Sequence, residues 1–335
     1  MATYAAPMQR TSSLAVLAAS SLLVAGLAAD DAAATAPDPP FPAEIEHKFG
    51  TTVLADRPER VVSIGYNEHD VVLAFGIEPV AVRYWYGAED DVTQVWTDDL
   101  LSDGEPEVLN MPELNFEAIA ALEPDLIVGT YSGIDQGDYD RLAAIAPTVA
   151  QSGEHVDYGM PWQEVTRTIG AALGEPDRAE EMIAELEGRF AAARDAHPEW
   201  DGRSLVVAVY GDGSELGFFA SPDPRSRFFT QLGFATDPQL DEIAGDQFYG
   251  SLSPERVAAL DQDLIVWDQI SFTEGGRATL EADPLVATLD AMRDGRTIVL
   301  EDDVELAFGW NTILSIPYAL DAIVPMLEDA VAPGE

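Results

Sequence analysis

The sequence predicts an α/β protein of two lobes with parallel sheets, joined by a single long helix. Three observations carry this expectation. Residues 176–197 place Ala179, Met182, Ile183, Leu186, Phe190 and Ala193 at three- and four-residue spacing, the period of an amphipathic helix. Residues 114–128 and 252–266 repeat one another, with nine of fifteen aligned positions identical. Elsewhere short apolar runs alternate with helix-like segments, the order expected of parallel sheets covered on both faces.

The long helix begins at Pro176, which suits a first turn where no backbone N–H is needed, and Pro198 ends it. At 1.5 Å per residue it would span roughly 33 Å, enough to cross between lobes. Each repeat copy reads as a capped helix running into a buried strand. Asn115 and Ser253 are the N-caps, and Pro254 is a natural first helical residue.

Taken in order, residues 1–29 are expected to be a signal peptide. Arg10 precedes an Ala- and Leu-rich run over 14–29 that is short for a membrane span. Leu27-Ala28-Ala29 would suit the approach to a lipidated cysteine, but position 30 is Asp, so the chain as written is not lipidated there. Its removal takes away one base and no acid, leaving a net charge of about −45. Residues 30–43 form an Ala-, Asp- and Pro-rich tether. The first lobe spans 44–160. It opens with a hairpin over 45–53, a strand over 61–65, a helix over 70–75 stopped by Gly76, and a strand over 80–82. The first repeat copy follows, and a strand at 148–150 closes the lobe. Residues 161–200 hold a helix over 162–173 and the long helix. The second lobe, 201–335, has a strand at 205–210, a strand or hairpin at 218–219, a helix over 225–232, the second copy, a strand at 297–300 and a closing helix over 312–327.

The composition narrows the partners. Against 61 acids stand 17 Lys plus Arg, a formal charge of −44, and Lys48 is the one lysine. Such a surface repels nucleic acid and anionic membranes. The acids are spread along the chain, as on a solvated surface suited to salt. There is no cysteine, hence no disulfide, thiolate metal site or thiol nucleophile. The chain contains no Gly-x-Ser-x-Gly elbow and no phosphate-binding Gly-rich loop with Lys. The four histidines, His47, His69, His155 and His197, form no spaced ligand pair, and Gly211-x-Gly213 lacks the rest of a dinucleotide fingerprint.

Ligands of such sheets bind at the loops after strand C-termini. Those loops carry Tyr66, His69, Arg83, Tyr84, Trp85, Tyr86, Tyr131, Tyr210, Trp267 and Trp310. Arg225 and Arg227 stand nearby as rare bases. An aromatic rim with few bases suits a bulky or flat solute held by stacking and burial.

Arg60-Val-Val-Ser-Ile-Gly, Asp70-Val-Val-Leu-Ala-Phe-Gly, Val80-Ala-Val-Arg-Tyr-Trp-Tyr-Gly, Trp162-Gln-Glu-Val-Thr-Arg-Thr-Ile-Gly and the two repeat copies together resemble bacterial ABC-transporter substrate-binding proteins. The resemblance covers roughly 44–330 and is to the iron–siderophore subgroup, actinobacterial members in particular. It implies two Rossmann-like lobes of the class III periplasmic-binding-protein type, with the ligand between them and no enzyme activity. It implies a ferric siderophore as ligand, which brings its own iron ligands, so neither cofactor nor metal site is needed. It also implies a monomer outside the cytoplasm that docks on an ABC permease through one acid per lobe, at positions matching Asp70 and Glu255. Haem and cobalamin are the alternatives within the class; an enzyme or sensor on the same lobes is the alternative outside it. The charge favours a neutral or cationic ferric hydroxamate over a trianionic catecholate.

Overall fold

The computed structural model describes residues 41–83, 94–102, 106–109, 113–211 and 216–331. The chain opens with a hairpin of β1 (Ala43–His47) and β2 (Gly50–Leu54), paired antiparallel. Next come β3 (Val61–Ser63), α1 (Glu68–Ala74), β4 (Ala81–Arg83), β5 (Glu107–Leu109), α2 (Phe116–Ala121), β6 (Leu126–Gly129), α3 (Gln136–Ala143) and β7 (Thr148–Ala150). The strands β3 to β7 form one sheet in the order β5-β4-β3-β6-β7, parallel throughout. β3 and β6 are its centre. Every residue of both is buried, which is why neither alternates apolar and polar residues as a one-sided strand would.

Two helices then leave this lobe, α4 (Trp162–Ala172) and α5 (Pro176–Ala196). The latter is the long helix expected from the apolar stripe. Pro176 is in its first turn, and Ala179, Ile183, Leu186 and Phe190 are buried. Gly174, at φ 76°, makes the reversal between the two helices in a left-handed conformation open to glycine.

The second lobe holds β8 (Leu205–Tyr210), β9 (Leu216–Phe219), α6 (Pro224–Gln231), α7 (Pro238–Ala244), β10 (Tyr249–Leu252), β11 (Leu264–Asp268), α8 (Gly276–Ala282), α9 (Asp290–Arg293), β12 (Thr297–Val299), α10 (Asp302–Trp310) and α11 (Ser315–Val331). Its sheet runs β10-β9-β8-β11-β12. The β8, β11 and β12 strands are parallel, while β9 and β10 form an antiparallel edge. The two sheets are thus alike at their centres and differ at one edge.

The repeat explains the likeness. In each copy a short helix leads into the strand beside the lobe's first central strand, β6 beside β3 and β11 beside β8. The copies differ in their caps. Asn115 accepts the N–H of Ala118 at 3.1 Å and starts an α-helix. Ser253 stands at the N-cap position but makes no such bond, and residues 254–260 wind as a 3₁₀ helix.

One apolar core runs through both lobes by way of the long helix. It takes Val61, Val71 and Val128 from the first lobe, Ile169, Ile183 and Phe190 from the connecting helices, and Phe228, Phe308 and Ile316 from the second. Separate clusters fill the outer faces of the two sheets. The lobes are therefore welded along the connecting-helix side.

Candidate ligand cleft

The loops after β3 and β6 are tied together. Ile64 N–H donates to the Val128 carbonyl at 2.9 Å, and Tyr66 N–H to the Tyr131 carbonyl at 3.3 Å. Beneath them lies the buried carboxyl of Glu68, which accepts the Tyr131 N–H at 3.5 Å. It fills the space a Cβ at Gly65 would need, so a larger residue there would displace the Glu68 carboxyl. Burial pushes the Glu68 carboxyl up to about 7.

This scaffold presents Tyr66 and Tyr131 to a cavity of about 340 Å³. Tyr158, from the segment leading to α4, completes that side. Its ring lies 5.1 Å from Tyr131 and 6.2 Å from Tyr66, and its backbone sits at φ 64°. A non-glycine residue in that region costs free energy, and such residues concentrate at functional positions. The second lobe supplies the facing wall: Phe219 at the end of β9, Phe248 just before β10 and Tyr249 at its start, Gln269 just after β11, and Arg225. Tyr158 and Phe248 approach to 6.3 Å, so aromatic contact crosses between the lobes. Burial pushes the Tyr131 phenol up to about 12.

The cations at the cleft are already engaged. Arg83 lays its guanidinium 4.3 Å over the Tyr66 ring and donates to the Ser132 carbonyl at 3.4 Å. It lines a neighbouring hollow of about 380 Å³ that shares Tyr66 and Tyr158 with the main cavity. Arg225 stacks 4.2 Å over Phe219 and contacts Asp223 at 3.2 Å and Asp268 at 3.4 Å. Burial raises both carboxyls, Asp268 to about 7. Among the described residues no group of three His, Cys, Asp or Glu side chains could hold a metal ion.

Of the residues expected at the cleft, Tyr66, Tyr131 and Arg225 line the cavity, and Arg83 lines its annex. Tyr84, Trp85 and Tyr86 lie outside the described residues. Trp267 does not face the cleft. It is 0 % exposed in the core of the second lobe, with Nε1 3.2 Å from Met292 Sδ. Tyr210 is buried too, its hydroxyl donating to Asp283 at 2.6 Å. Both are strand residues of a sheet covered on both faces, where side chains enter the flanking layers. The chain leaves β11 only at Gln269, and β8 turns into the antiparallel β9, pairing Tyr210 with Leu216. Arg227 turns away from the cavity. It donates to the carbonyls of Pro222 and Gly159 and lines a separate pocket of about 420 Å³ beside α4 and α6.

His69, Asp70 and Trp310 form a buried group where the lobes meet, not a rim. His69 and Trp310 meet edge to face at 6.4 Å. Asp70 is 1 % exposed and accepts from Trp96 Nε1 at 2.8 Å and Thr312 Oγ1 at 2.6 Å. It is therefore not an exposed lobe-tip acid. Glu255 is exposed, as expected, and so is its repeat partner Glu117. The cleft residues not anticipated from sequence are Tyr158, Phe219, Phe248, Tyr249 and Gln269. For Phe219, Phe248 and Tyr249 the aromatic pairs Phe218-Phe219 and Phe248-Tyr249 were the available signal, but only the antiparallel pairing of β9 and β10 brings them together.

A profile of the periplasmic binding protein family matches residues 61–304. The probable siderophore-binding lipoprotein YfiY of Bacillus subtilis is 27% identical over 295 residues, 83% of this chain and 86% of its own. A periplasmic solute binding protein from Mycobacterium smegmatis superimposes with a TM-score of 0.76 at 31% identity, covering 87% of this chain and 99% of that one. PiaA of Streptococcus pneumoniae, solved in complex with ferrichrome, gives 0.74 at 30% identity, covering 86% and 98%. With the match extending over both lobes, the chain belongs to the periplasmic binding protein family.

Proposed function

We propose that this protein captures a ferric siderophore between its lobes outside the cytoplasm and delivers it to an ABC importer. The observation that carries the reading is the aromatic cavity shared by Tyr66, Tyr131 and Tyr158 on one side and Phe219, Phe248 and Tyr249 on the other. Rings from both lobes suit a bulky complex enclosed by stacking, and such burial is the usual source of small-ligand affinity. YfiY, a probable siderophore-binding lipoprotein, and PiaA, solved with ferrichrome, support a siderophore as ligand. The iron arrives coordinated by its own chelator, as cargo, and the protein acts as a monomeric carrier without catalysis.

The ligand favoured is neutral or cationic, as in a ferric hydroxamate. Arg225 is offset by Asp223 and Asp268, and the whole chain carries −44. Docking on the permease falls to Glu117 and Glu255. They occupy matching first-turn positions of the two repeat copies, and both are exposed. Export through the signal peptide at 1–29 belongs to the same reading, and among the described residues no helix is long and apolar enough to cross a membrane.

The test is a calorimetric panel of ferric hydroxamates, ferric catecholates, haem and cobalamin against the protein lacking residues 1–29. Saturable binding of a ferric siderophore, weakened by Tyr158→Ala, is expected. Binding of haem or cobalamin with no ferric siderophore bound would overturn the reading.

A further inference from the structure

The C-lobe wall of the cavity rests on an ionic group that simple stacking of a ligand does not require. Arg225 is 3 % exposed, in the first turn of α6. Asp223 caps that helix, accepting the Arg225 N–H at 2.8 Å, and touches Nη1 with both oxygens at 3.2 and 3.3 Å. From the other side Asp268, the last residue of β11, brings Oδ2 to 3.4 Å from Nε. The face of the guanidinium lies on Phe219. Two buried carboxylates from two elements therefore hold one cation. One would neutralise it; the second leaves the group with a net negative charge, which is costly where water is excluded.

The carboxylates are not equivalent. Asp223 has a backbone N–H and the Nη1 contact. Asp268 is raised chiefly by burial; it has the more distant Nε contact and the Gln269 backbone N–H in its favour, and it feels the negative charge of Glu305, on α10, and of Asp223. Glu305 is itself held by the N–H of Ser271 at 3.1 Å and by its hydroxyl. Arg227 of α6 and the Tyr131 phenol across the cleft also act on this cluster, and Glu305, whose own carboxyl burial raises, feels Asp302 and Glu301.

We propose that Asp268 is a specificity-determining residue of the cavity: by holding or releasing a proton behind Arg225, it sets whether the C-lobe wall presents a net negative charge or none, and so selects ligands by charge according to pH. The position of Asp268 near 7 places the change close to neutrality. This inference rests on the ferric-ligand reading. It treats Asp268 as acting through Arg225, which lines the cavity while Asp268 does not.

The experiment measures affinity for three ferric complexes between about pH 8 and about pH 6. They are trianionic ferric enterobactin, neutral ferrichrome and cationic ferrioxamine B. The proteins are wild type and Asp268→Asn, each lacking residues 1–29. Each ligand's own titration is common to both proteins, so the ratio of their affinities isolates residue 268. At the alkaline end Asp268→Asn should bind the anionic complex about tenfold more tightly than wild type and the cationic one more weakly. The difference should vanish at the acid end, and ferrichrome should show little difference throughout. Superimposable profiles of the two proteins for all three charges would overturn the inference alone. Failure of wild type to bind any ferric complex would overturn the ferric-ligand reading and this inference with it. Should Asp268→Asn not fold, Glu305→Gln gives an independent test. Removing that neighbouring charge should move the switch to lower pH, and an unmoved switch would count against the proposal.

Discussion

The hydroxyl of Thr312 donates to Asp70 Oδ2 at 2.6 Å, joining the helix after the first central strand to the segment between α10 and α11. Three residues earlier, Asn67 donates to the Trp310 carbonyl at 2.7 Å. Tyr66, a cleft residue, is the immediate neighbour of Asn67. The loop that holds this cavity-lining ring is therefore also one that fastens the lobes to each other.

Burial pushes Asp70 up to about 7, against the opposing hydrogen bonds from Thr312 and Trp96. A folded-state value above the ordinary one means that the folded protein binds the proton more tightly. The stability this adds is present in full below the ordinary aspartate range and is lost as pH rises through about 7. Asp70→Asn keeps an acceptor for both donors and removes the ionisation. Relative to Asp70→Asn, wild type should lose stability in urea between about pH 5 and about pH 8. Parallel pH profiles would show that Asp70 does not titrate in this range. Asp70→Ala strands two donors and should cost about 1–3 kcal/mol.

Tyr158 joins the first-lobe rings of the cavity to Phe248 of its second-lobe wall. Tyr158→Ala should weaken ligand binding by about tenfold or more, and Tyr158→Phe by much less, because the ring rather than the hydroxyl makes the contacts. Calorimetry of both variants checks this. Equal losses would assign the effect to the hydroxyl, which donates to the Ser132 carbonyl at 3.5 Å.

The charge of −44 predicts a salt response. Self-repulsion between exposed carboxylates is screened over a Debye length of about 10 Å at 0.1 M salt and about 3 Å at 1 M. The melting temperature should rise over that range, and rise further than for a near-neutral protein of this size. A melting temperature independent of salt would mean that the acids are too dispersed to repel one another.

Much of the architecture was legible because it rests on local pattern. The stripe from Ala179 to Phe190 gave the long helix, and the repeat gave β6 and β11 as partner strands in two sheets. The site was legible only where a loop follows a strand directly, as for Tyr66 and Tyr131. Tyr210 and Trp267 look the same in sequence, yet both still belong to their strands, and their rings enter the layers beside the sheet. Phe219 and Tyr249 depend on an antiparallel pairing between residues thirty apart, and Tyr158 on a left-handed backbone in a connecting segment. Neither arrangement has a local periodic signature. The burial of Asp70 likewise depends on Thr312, far along the chain.

That burial also decides which acids can meet a permease. A docking carboxylate must reach solvent, and Asp70 is covered by Trp96 and Thr312. Glu117 and Glu255 sit in the first turns of the two repeat helices, one per lobe, and both are exposed. Each is also favoured there by the helix dipole alone, which explains the residue type but not two matched positions on two lobes. Paired surface acids meeting arginines would steer association and fix its register more than add raw affinity. Glu117→Arg and Glu255→Arg should therefore abolish radiolabelled ferric-siderophore uptake by cells, singly in large part and together completely. Calorimetric affinity for the ligand should stay unchanged, since neither residue lines the cavity. Asp70→Arg behaves differently in this account: it buries an unpaired cation and should lower stability and ligand affinity together. Normal uptake by the double variant, or a fall in its ligand affinity that matches the fall in uptake, would take the docking role from both glutamates.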